Sequence, residues 1–424
     1  MKRILTILAL LPLLALSCGK GGGGEGNEQK PGGEEQPVVE EPAVPVFTGS
    51  FIQHWYVASW TQSQWDAEMK VLADAGMEYL VFTPLKDGDA APDYLALEKC
   101  LAAASTKGIK VFVGTNHDEG WWNSATASAS WLNARMDEGL EIAREVYSRF
   151  HSNKALYGWY WDWEVDNANW NSRKDVLAAA WNRTLDGITE LDPAMPLLFS
   201  PFMNSKLGTP AAYRDFWKAL FPMLHLRKGD IFAPQDCVGA GGVTATGAKS
   251  WFYQLGEAAK TVDGLKFWAN VETFEQFNLP EGNRFVTAPF QRVVDQITAL
   301  EPFVEGIICF AYSHYFSPVL VREEYHNAWM AYRKDGTLPQ PGKTGRVNSA
   351  TKQVGTGVAL SWSIATKTDV DGFVIYRNGA LLLKLQVREG KFPDYYFDTA
   401  GKASDTYDIT TYNINGDESP KVSF

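Results

Sequence analysis

Cysteine is scarce in this chain of 424 residues, which contains four. Cys18 lies near the start, and the other three are Cys100, Cys237 and Cys309. An exported protein that depends on disulfides would show more. The spacing of these residues matches no zinc site, so we expect no bound metal. We interpret the last three as small core residues or free thiols.

Positive charge is also in short supply. The 39 Lys and Arg residues are outnumbered by 50 Asp and Glu residues, which gives a formal net charge of −11 at pH 7. No basic stripe offsets this balance, so the sequence predicts no nucleic-acid partner. No Gly-rich dinucleotide turn follows the first predicted strand, and we expect no cofactor.

The apolar run from Ile4 to Leu16 is too short to span a bilayer with margin. It follows the positive residues Lys2 and Arg3, as in a secretion signal, and leads into Ser17 and Cys18. This segment resembles a bacterial lipobox, which implies that Cys18 is lipidated and becomes the mature first residue. We therefore expect residues 1–18 to be a lipoprotein signal peptide. The protein would be exported and anchored by lipid alone at the outer membrane, cell surface or periplasmic face. An ordinary cleaved signal with a chance cysteine is the alternative.

Residues 19–46 are rich in Gly, Glu, Pro and Gln and contain almost no aromatic side chains. Such a segment cannot bury enough apolar surface to offset the entropy lost on ordering, so we interpret it as a flexible tether. Over the whole chain, aromatic residues make up 13%, with 16 Trp. That density suits a large core, and it also suits stacking on sugar rings.

From Phe51 to about Arg333, short β-type runs alternate with longer helical stretches. The predicted strands are Phe51–Val57, Tyr79–Thr83, Ile109–Gly114, Leu156–Trp163, Pro196–Pro201, Asp230–Pro234, Leu265–Val271 and Val304–Ala311. The predicted helices are Gln64–Ala75, Tyr94–Thr106, Trp131–Phe150, Val176–Glu190, Tyr213–Leu220, Lys249–Lys260, Pro289–Leu300 and Glu323–Arg333. Eight β-then-α units predict an α/β fold, a (β/α)8 or TIM barrel, over residues 47–335. A doubly wound open sheet is the rival, although it usually has fewer units.

Residues 336–344 (GTLPQPGKT) form a linker rich in Pro and Gly. After it, polar and apolar residues alternate with period two, as in the run from Val358 to Trp362. With Trp362, Tyr376 and Tyr407 in place, residues 345–424 resemble a fibronectin type III domain. The resemblance implies a small all-β sandwich. We expect it to fold alone and to act as a spacer or docking module, with sugar binding as the alternative.

In a (β/α)8 barrel the active site lies at the carboxyl ends of the strands, so residues that follow the predicted strands are candidates for substrate contact. We assign to substrate binding Gln53, Trp55, Asn116, Trp121, Trp122, Asp162, Trp163, Gln235, Asp236, Asn270, Tyr312 and His314. Two interpretations stay open for some of them. Asp236 is a site residue or a loop cap, and His314 is a donor to the substrate or a packed residue.

Two of the predicted strands run into glutamate. The fourth is an aromatic run that leads to Glu164, and the seventh leads to Glu272. Glycoside hydrolysis needs two carboxyl groups flanking one bond, one protonated and one ionised, and aromatic surroundings raise the pKa of the proton donor. Strands four and seven lie across the barrel mouth from each other, so these two residues are the candidate catalytic pair. Structural ion pairs with Arg or Lys are the alternative for both.

This pair is similar to the two glutamates of the large clan of (β/α)8 glycoside hydrolases. The resemblance implies that Glu164 is the acid/base and Glu272 the nucleophile. That clan usually has Asn directly before the strand-four Glu, where it holds the sugar 2-hydroxyl, whereas this chain has Trp163. Asp162, two residues before Glu164, faces the same way in a strand and leaves the identity of the acid open.

The whole barrel resembles more closely a family of exported bacterial proteins, domain-of-unknown-function family 4434. The matching segments are Gly49–Gln53, Gly158–Tyr160 with Glu164, Pro234–Asp236 and Trp268–Phe274. That family is regarded as glycosidase-like by fold.

The sequence therefore predicts a monomeric, retaining glycoside hydrolase that acts on an extracellular or periplasmic glycan. The first alternative is a non-catalytic glycan-binding surface lipoprotein, which needs only the aromatic residues of the cleft. The second is an interaction scaffold, whose cleft would lack convergent polar groups.

Overall fold

The computed structural model of the protein describes residues 44–123 and 128–424. The predicted signal peptide, Cys18 and most of the predicted tether lie outside the described residues. Within the described ranges, no helix is both long and apolar enough to cross a membrane.

Eight parallel strands close into a barrel in the order β1-β8-β7-β6-β5-β4-β3-β2. They are β1 Gly49–Gln53, β2 Tyr79–Thr83, β3 Lys110–Gly114, β4 Leu156–Trp161, β5 Leu197–Phe199, β6 Ile231–Phe232, β7 Lys266–Glu272 and β8 Gly306–Phe310. Each is followed by a helix on the outside, and the helices are α1 Gln62–Asp74, α2 Tyr94–Lys107, α3 Ala129–Phe150, α4 Lys174–Leu191, α5 Pro210–Leu220, α6 Ala245–Ala259, α7 Phe290–Leu300 and α8 Glu323–Asp335. The predicted (β/α)8 fold is confirmed.

The helix boundaries follow from local chemistry. Helix α1 is capped by Thr61, whose side chain accepts from the backbone N–H of Gln64, while the Gln64 side chain accepts from the N–H of Thr61. Helices α2 and α8 end at Gly108 and Gly336, with φ of 71° and 79°, in the left-handed conformation that glycine adopts at low cost.

The barrel interior is filled by alternate residues of the strands, most of them aromatic or branched. Phe51 of β1 and Tyr160 of β4 meet edge to face there, with ring centroids 5.1 Å apart. Because side chains alternate along a strand, the residues two positions further along point the same way and lie one layer higher. On β1 and β4 these residues are Gln53 and Asp162, which places their side chains at the mouth of the barrel.

The first strand is shorter than predicted. It ends at Gln53, which pairs with Thr83 as the last residue of its register with β2. His54–Val57, predicted as its continuation, forms a short helix instead. Strand pairing stops at the barrel rim, so the chain beyond Gln53 has no neighbouring strand to support an extended conformation.

The last part of the chain forms two packed antiparallel sheets. Their strands are β9 Val347–Val354, β10 Val358–Ile364, β11 Gly372–Arg377, β12 Ala380–Gln386, β13 Tyr395–Asp398, β14 Tyr407–Tyr412 and β15 Val422–Ser423. One sheet has the order β9-β10-β13 and the other β12-β11-β14-β15. Trp362, Phe373 and Tyr407 are buried in the core between them. The all-β architecture agrees with the predicted fibronectin type III-like sandwich.

A β-hairpin that the sequence analysis did not assign follows β7. Its strands are Phe274–Leu279 and Gly282–Thr287, and they join the barrel to the sandwich. Phe277 and Leu279 pack against the core of the sandwich, and Lys384 of the sandwich pairs with Glu275 at 2.6 Å. The described residues, 44–123 and 128–424, accordingly form one compact unit. These contacts argue against independent folding of residues 345–424, which the linker at residues 336–344 predicts.

Cys100, Cys237 and Cys309 are all buried and free. This agrees with their interpretation as small core residues or free thiols.

Candidate active site

A cleft of about 660 Å³ opens at the carboxyl ends of the barrel strands. The predicted site residues that line it are Gln53, Trp55, Trp122, Asp162, Glu164, Gln235 and Glu272. Both candidate catalytic glutamates are therefore in the same cavity. Within the described parts of the chain, no group of three or more His, Cys, Asp or Glu residues is arranged to hold a metal.

Glu164 lies three residues beyond the end of β4. Its Oε1 accepts a hydrogen bond from Nε2 of Gln235 at 2.8 Å, and its backbone carbonyl accepts one from Nε1 of Trp121 at 2.7 Å. Burial raises the pKa of this carboxyl to about 7, although the bond from Gln235 opposes the shift. Glu164 is thus held in position and retains a proton more readily than an ordinary glutamate.

Glu272 is the last residue of β7 and is 2% exposed. Its Oε2 accepts from the backbone N–H of Ala240 at 2.7 Å, and its own N–H donates to Oδ1 of Asp236 at 3.1 Å. Burial, and then the neighbouring Asp236 carboxylate, raise the pKa of Glu272, whereas the N–H of Ala240 and the charge of Arg292 favour the ionised form. The neighbouring Gly239 lets the chain come this close to Glu272. A Cβ at position 239 would lie 3.0 Å from Oε2 of Glu272 and 2.3 Å from the Phe274 carbonyl oxygen.

Asp162 faces the cleft from the same side as Glu164. The Thr83 hydroxyl donates to its Oδ1, and its buried Oδ2 has no hydrogen-bond partner among the described residues. Burial raises the pKa of Asp162 well above its usual range, and the charge of Glu164 adds to the shift. Gly114 leaves room for it, because a Cβ there would lie 2.6 Å from Oδ2. Asp162 is therefore a second carboxyl at the end of β4 that retains a proton more readily than an ordinary aspartate.

Exposed aromatic side chains edge the cleft. Trp55 and Trp122 are each 50% exposed, Tyr56 is 44% exposed and Phe285 is 38% exposed, and all four line the cavity. Several exposed apolar rings around one cleft are typical of a ligand-binding groove. Their flat faces suit the apolar faces of sugar rings.

Three predicted substrate-binding residues face away from the cleft. Trp163 points to the opposite side of the chain from Asp162 and Glu164, and packs against Trp121 at 5.5 Å between centroids. Trp121 and Trp163 are both buried. Of the neighbouring residues Trp121 and Trp122, only Trp122 is exposed and can stack on a sugar ring. Asn116 is also buried and donates to the Arg135 carbonyl at 3.0 Å, on helix α3. Trp121, Trp163 and Asn116 do not line the cleft in this structure, because each is taken up by the packing behind the strands.

Four others also lie outside the cleft. Asp236 is fully buried behind β7, where it receives the N–H of Glu272 and a bond from Gln296, so it is a structural acceptor. Asn270 lies in the barrel interior one layer below Glu272 and donates to Oγ of Ser200 at 2.9 Å. Tyr312 is buried against helix α8, where its hydroxyl meets Nδ1 of His326 at 2.6 Å. His314 is buried and lines a neighbouring cavity instead.

Some cleft residues were absent from the prediction. The hairpin supplies Gln276, Asn283 and Phe285, and the loop after β5 supplies Phe202 and Asn204. The alternation in Phe274–Leu279, followed by a Pro-Glu-Gly turn, was a signal from which the hairpin could have been found.

The fold is that of a TIM barrel. Residues 47–321 match the family described as domain of unknown function (DUF4434), and the chain belongs to this family. No curated protein matches the chain by sequence.

Solved structures of glycosidases are similar in fold. A Bacteroides thetaiotaomicron VPI-5482 protein described provisionally as an alpha-L-fucosidase is 18% identical, with a TM-score of 0.57 over 71% of this chain and 99% of that one. A Bacteroides uniformis beta-glucuronidase is 11% identical, with a TM-score of 0.41 over 86% of this chain and 43% of that one. A Thermotoga maritima beta-glucosidase is 11% identical, with a TM-score of 0.41 over 66% of this chain and 87% of that one. At these identities the first likeness supports the fold, and the other two carry no further conclusion.

Proposed function

We propose that the protein is a retaining glycoside hydrolase that acts on a glycan outside the cytoplasm. The observation that carries the proposal is that Glu164 and Glu272, at the ends of β4 and β7, line one cleft edged by Trp55 and Trp122. Two carboxyl groups and flat apolar surfaces are what cleavage between sugar units requires.

In this proposal Glu272 is the nucleophile and Glu164 the acid/base. The backbone N–H of Ala240 binds one oxygen of Glu272 and so fixes the orientation of the carboxylate. A nucleophile needs such a fixed orientation because it must attack the sugar from one direction. The pKa of Glu164, raised to about 7, suits a group that gives a proton to the leaving oxygen and then takes one from water. The pKa of Glu272 is raised as well, so the division of roles rests on the fixed oxygen of Glu272 and not on the two pKa values. Asp162 is the alternative acid, because it faces the same cavity and also has a raised pKa.

The location belongs to the same proposal. A lipid on Cys18 and a tether of residues 19–46 would hold a monomeric barrel at a membrane surface, within reach of extracellular or periplasmic polysaccharide. A glycan is the proposed partner, and the lipid is the proposed membrane contact.

A non-catalytic glycan-binding protein is the second candidate. It is favoured by Trp163, which stands where the related hydrolases have a sugar-binding Asn and whose side chain packs away from the cleft. Such a protein would bind the glycan through Trp55 and Trp122 and would leave it intact.

The test is hydrolysis by the full chain of a panel of plant and host glycans, with reducing ends as the readout. Glu272→Gln is the matched variant, because it keeps the size of the side chain and an oxygen that can accept from Ala240. Turnover that Glu272→Gln abolishes supports the hydrolase. Binding without turnover by the unmodified chain supports the second candidate and contradicts the first.

A further inference from the structure

A second cavity, of about 330 Å³, adjoins the cleft, and we call it the side pocket. It lies between the barrel, the hairpin after β7 and Arg388 of the sandwich. The residues that line both cavities are Tyr56, Asn283, Phe285 and Tyr315. A chain of sugar units in the cleft would therefore continue into the side pocket.

Two guanidinium groups line the side pocket, which also contains the carboxylate of Glu281. Arg284 and Arg388 line it, and neither forms an ion pair with any residue in the described ranges. The Glu389 carboxylate beside Arg388 pairs instead with Lys391 at 2.8 Å, and Glu281 accepts from the Tyr396 hydroxyl at 2.9 Å. Nε of Arg284 is buried with no hydrogen-bond partner among the described residues. Both arginines are half-buried, and of their nitrogens only Nε of Arg284 is fully enclosed without a partner among the described residues. Their guanidinium groups therefore keep N–H donors that a ligand could bind.

His314 adds a buried, uncharged ring to the wall of the side pocket. It is 3% exposed, lines the side pocket, and accepts the backbone N–H of Gln53 on Nε2 at 3.1 Å. Burial lowers the pKa of His314 to about 3, so the ring is neutral and carries its proton on Nδ1. That nitrogen is buried and has no partner within the described ranges.

We propose that the side pocket binds the anionic substituent of a glycan, a carboxylate or sulfate group on one sugar unit, through Arg284 and Arg388. Guanidinium groups form their strongest hydrogen bonds with such planar or multi-oxygen anions. The chain as a whole carries a net charge of −11, so an acidic glycan needs a local positive site to overcome repulsion.

This inference rests on the proposed function in one respect, which is that the cleft holds a glycan. It also gives the sandwich a role, because Arg388 follows β12 and completes a wall of the side pocket that the barrel lacks. The substrate class is then an acidic polysaccharide, and the preference for it depends on both parts of the chain.

The experiment measures binding by the full chain carrying Glu272→Gln, so that no ligand is consumed. The probes are matched pairs studied by calorimetry: glucuronate with glucose, galacturonate with galactose, and glucose 6-sulfate with glucose. Inorganic sulfate and acetate are the free-anion probes. Each binding measurement is repeated with the further substitution Arg388→Gln, Arg284→Gln or Arg144→Gln. Arg144 is an exposed residue of helix α3, so Arg144→Gln controls for the change in net charge.

We expect at least one acidic sugar to bind on the order of tenfold more tightly than its neutral partner. Arg388→Gln and Arg284→Gln should each remove most of that preference, and Arg144→Gln should keep it. A preference confined to glucuronate or galacturonate identifies a carboxylate, and one confined to glucose 6-sulfate identifies a sulfate. The inference is overturned if no acidic sugar is preferred, if Arg388→Gln and Arg284→Gln retain the preference, or if the free anions bind as tightly as the sugars.

Failure of this inference and failure of the proposed function have different signatures. Hydrolysis of neutral glycans that is indifferent to Arg388→Gln leaves the hydrolase in place and overturns the side pocket. A preference for acidic sugars that depends on Arg388, without hydrolysis of any glycan in the panel, supports the side pocket and contradicts the hydrolase.

Discussion

Gln235 donates hydrogen bonds from Nε2 to Oε1 of Glu164 at 2.8 Å and to the carbonyl of Ser200 at 3.0 Å. The second bond fixes the orientation of the amide, so its N–H faces Glu164 and favours the ionised carboxylate. Gln235 is a positioning residue in the proposed mechanism, because it acts on Glu164.

Removing this amide should change the pH dependence of catalysis. Gln235→Ala takes away a bond that lowers the pKa of Glu164, so that pKa rises further above about 7. If Glu164 is the general acid, the basic limb of the kcat/KM profile should move to higher pH, and kcat should fall on the order of tenfold. Gln276→Ala is the control, because Gln276 lines the same cleft and bonds to Asn278. An unmoved basic limb would contradict the assignment of the acid to Glu164.

The raised pKa values of both glutamates also predict how stability depends on pH. A carboxyl whose pKa is higher in the folded than in the unfolded state binds more protons when folded, so stability falls as pH rises from about 4.5 through the folded pKa. Glu164→Gln and Glu272→Gln each remove an ionisable group and with it this loss of stability at high pH. Each should stabilise the protein at pH 8 by about 1–3 kcal/mol, with little effect at pH 4.

Urea unfolding of these variants at both pH values is the measurement. Glu141→Gln, on the exposed face of helix α3, is the control and should stay within about 0.5 kcal/mol at either pH. Destabilisation of both active-site variants at pH 8 would show that the two carboxylates are stabilised by their surroundings, as in structural ion pairs.

The barrel was predictable because its signals are local. Each buried strand is a short apolar run and each helix has its own periodicity, and a closed parallel sheet then brings the strand ends together. Gln53, Asp162, Glu164, Gln235 and Glu272 reached the cleft for that reason. Strand alternation also explains why Trp163, next to Glu164, cannot face the cleft.

The remaining site residues depend on tertiary packing. Tryptophan suits a core as well as it suits a sugar, so the sequence alone could not separate exposed Trp122 from buried Trp121. Arg388 lies more than 100 residues from the hairpin residue Arg284, and no periodicity connects them. Their proximity follows from the packing of Phe277 and Leu279 against the sandwich core.

The lipobox predicts the behaviour of a single variant. Cys18→Ser should move the protein from membrane to soluble fractions, because the sulfur atom to which the lipid is attached is lost. Fractionation with mass analysis of the N-terminal peptide is the measurement, and detergent extraction of the unmodified protein is the reference. If Cys18→Ser remains in the membrane fraction, the lipid is not the anchor.

Removing the sandwich should damage the barrel. A chain that ends at Asp335 exposes Phe277 and Leu279, and it deprives Arg322 and Tyr325 of the buried Asp371 carboxylate to which both donate. We expect this fragment to aggregate or to unfold at a lower denaturant concentration than the full chain. Circular dichroism and size-exclusion chromatography of the two proteins decide the matter. A fragment as stable as the full chain would restore the sequence-based expectation of two independent domains.

In the proposed mechanism Glu272 forms a covalent bond to the sugar before water does. A retaining enzyme forms a covalent glycosyl ester on its nucleophile and then hydrolyses it with help from the acid/base. With an aryl glycoside whose leaving group needs no proton, Glu164→Gln should form this ester and fail to hydrolyse it. The ester should therefore accumulate on the peptide that contains Glu272 and be visible by mass spectrometry after acid quenching. Asp162→Asn is the matched variant, and it should turn over the same substrate without accumulation. Accumulation in Asp162→Asn alone would make Asp162 the acid/base, and a first product of inverted configuration by proton NMR would exclude the covalent route.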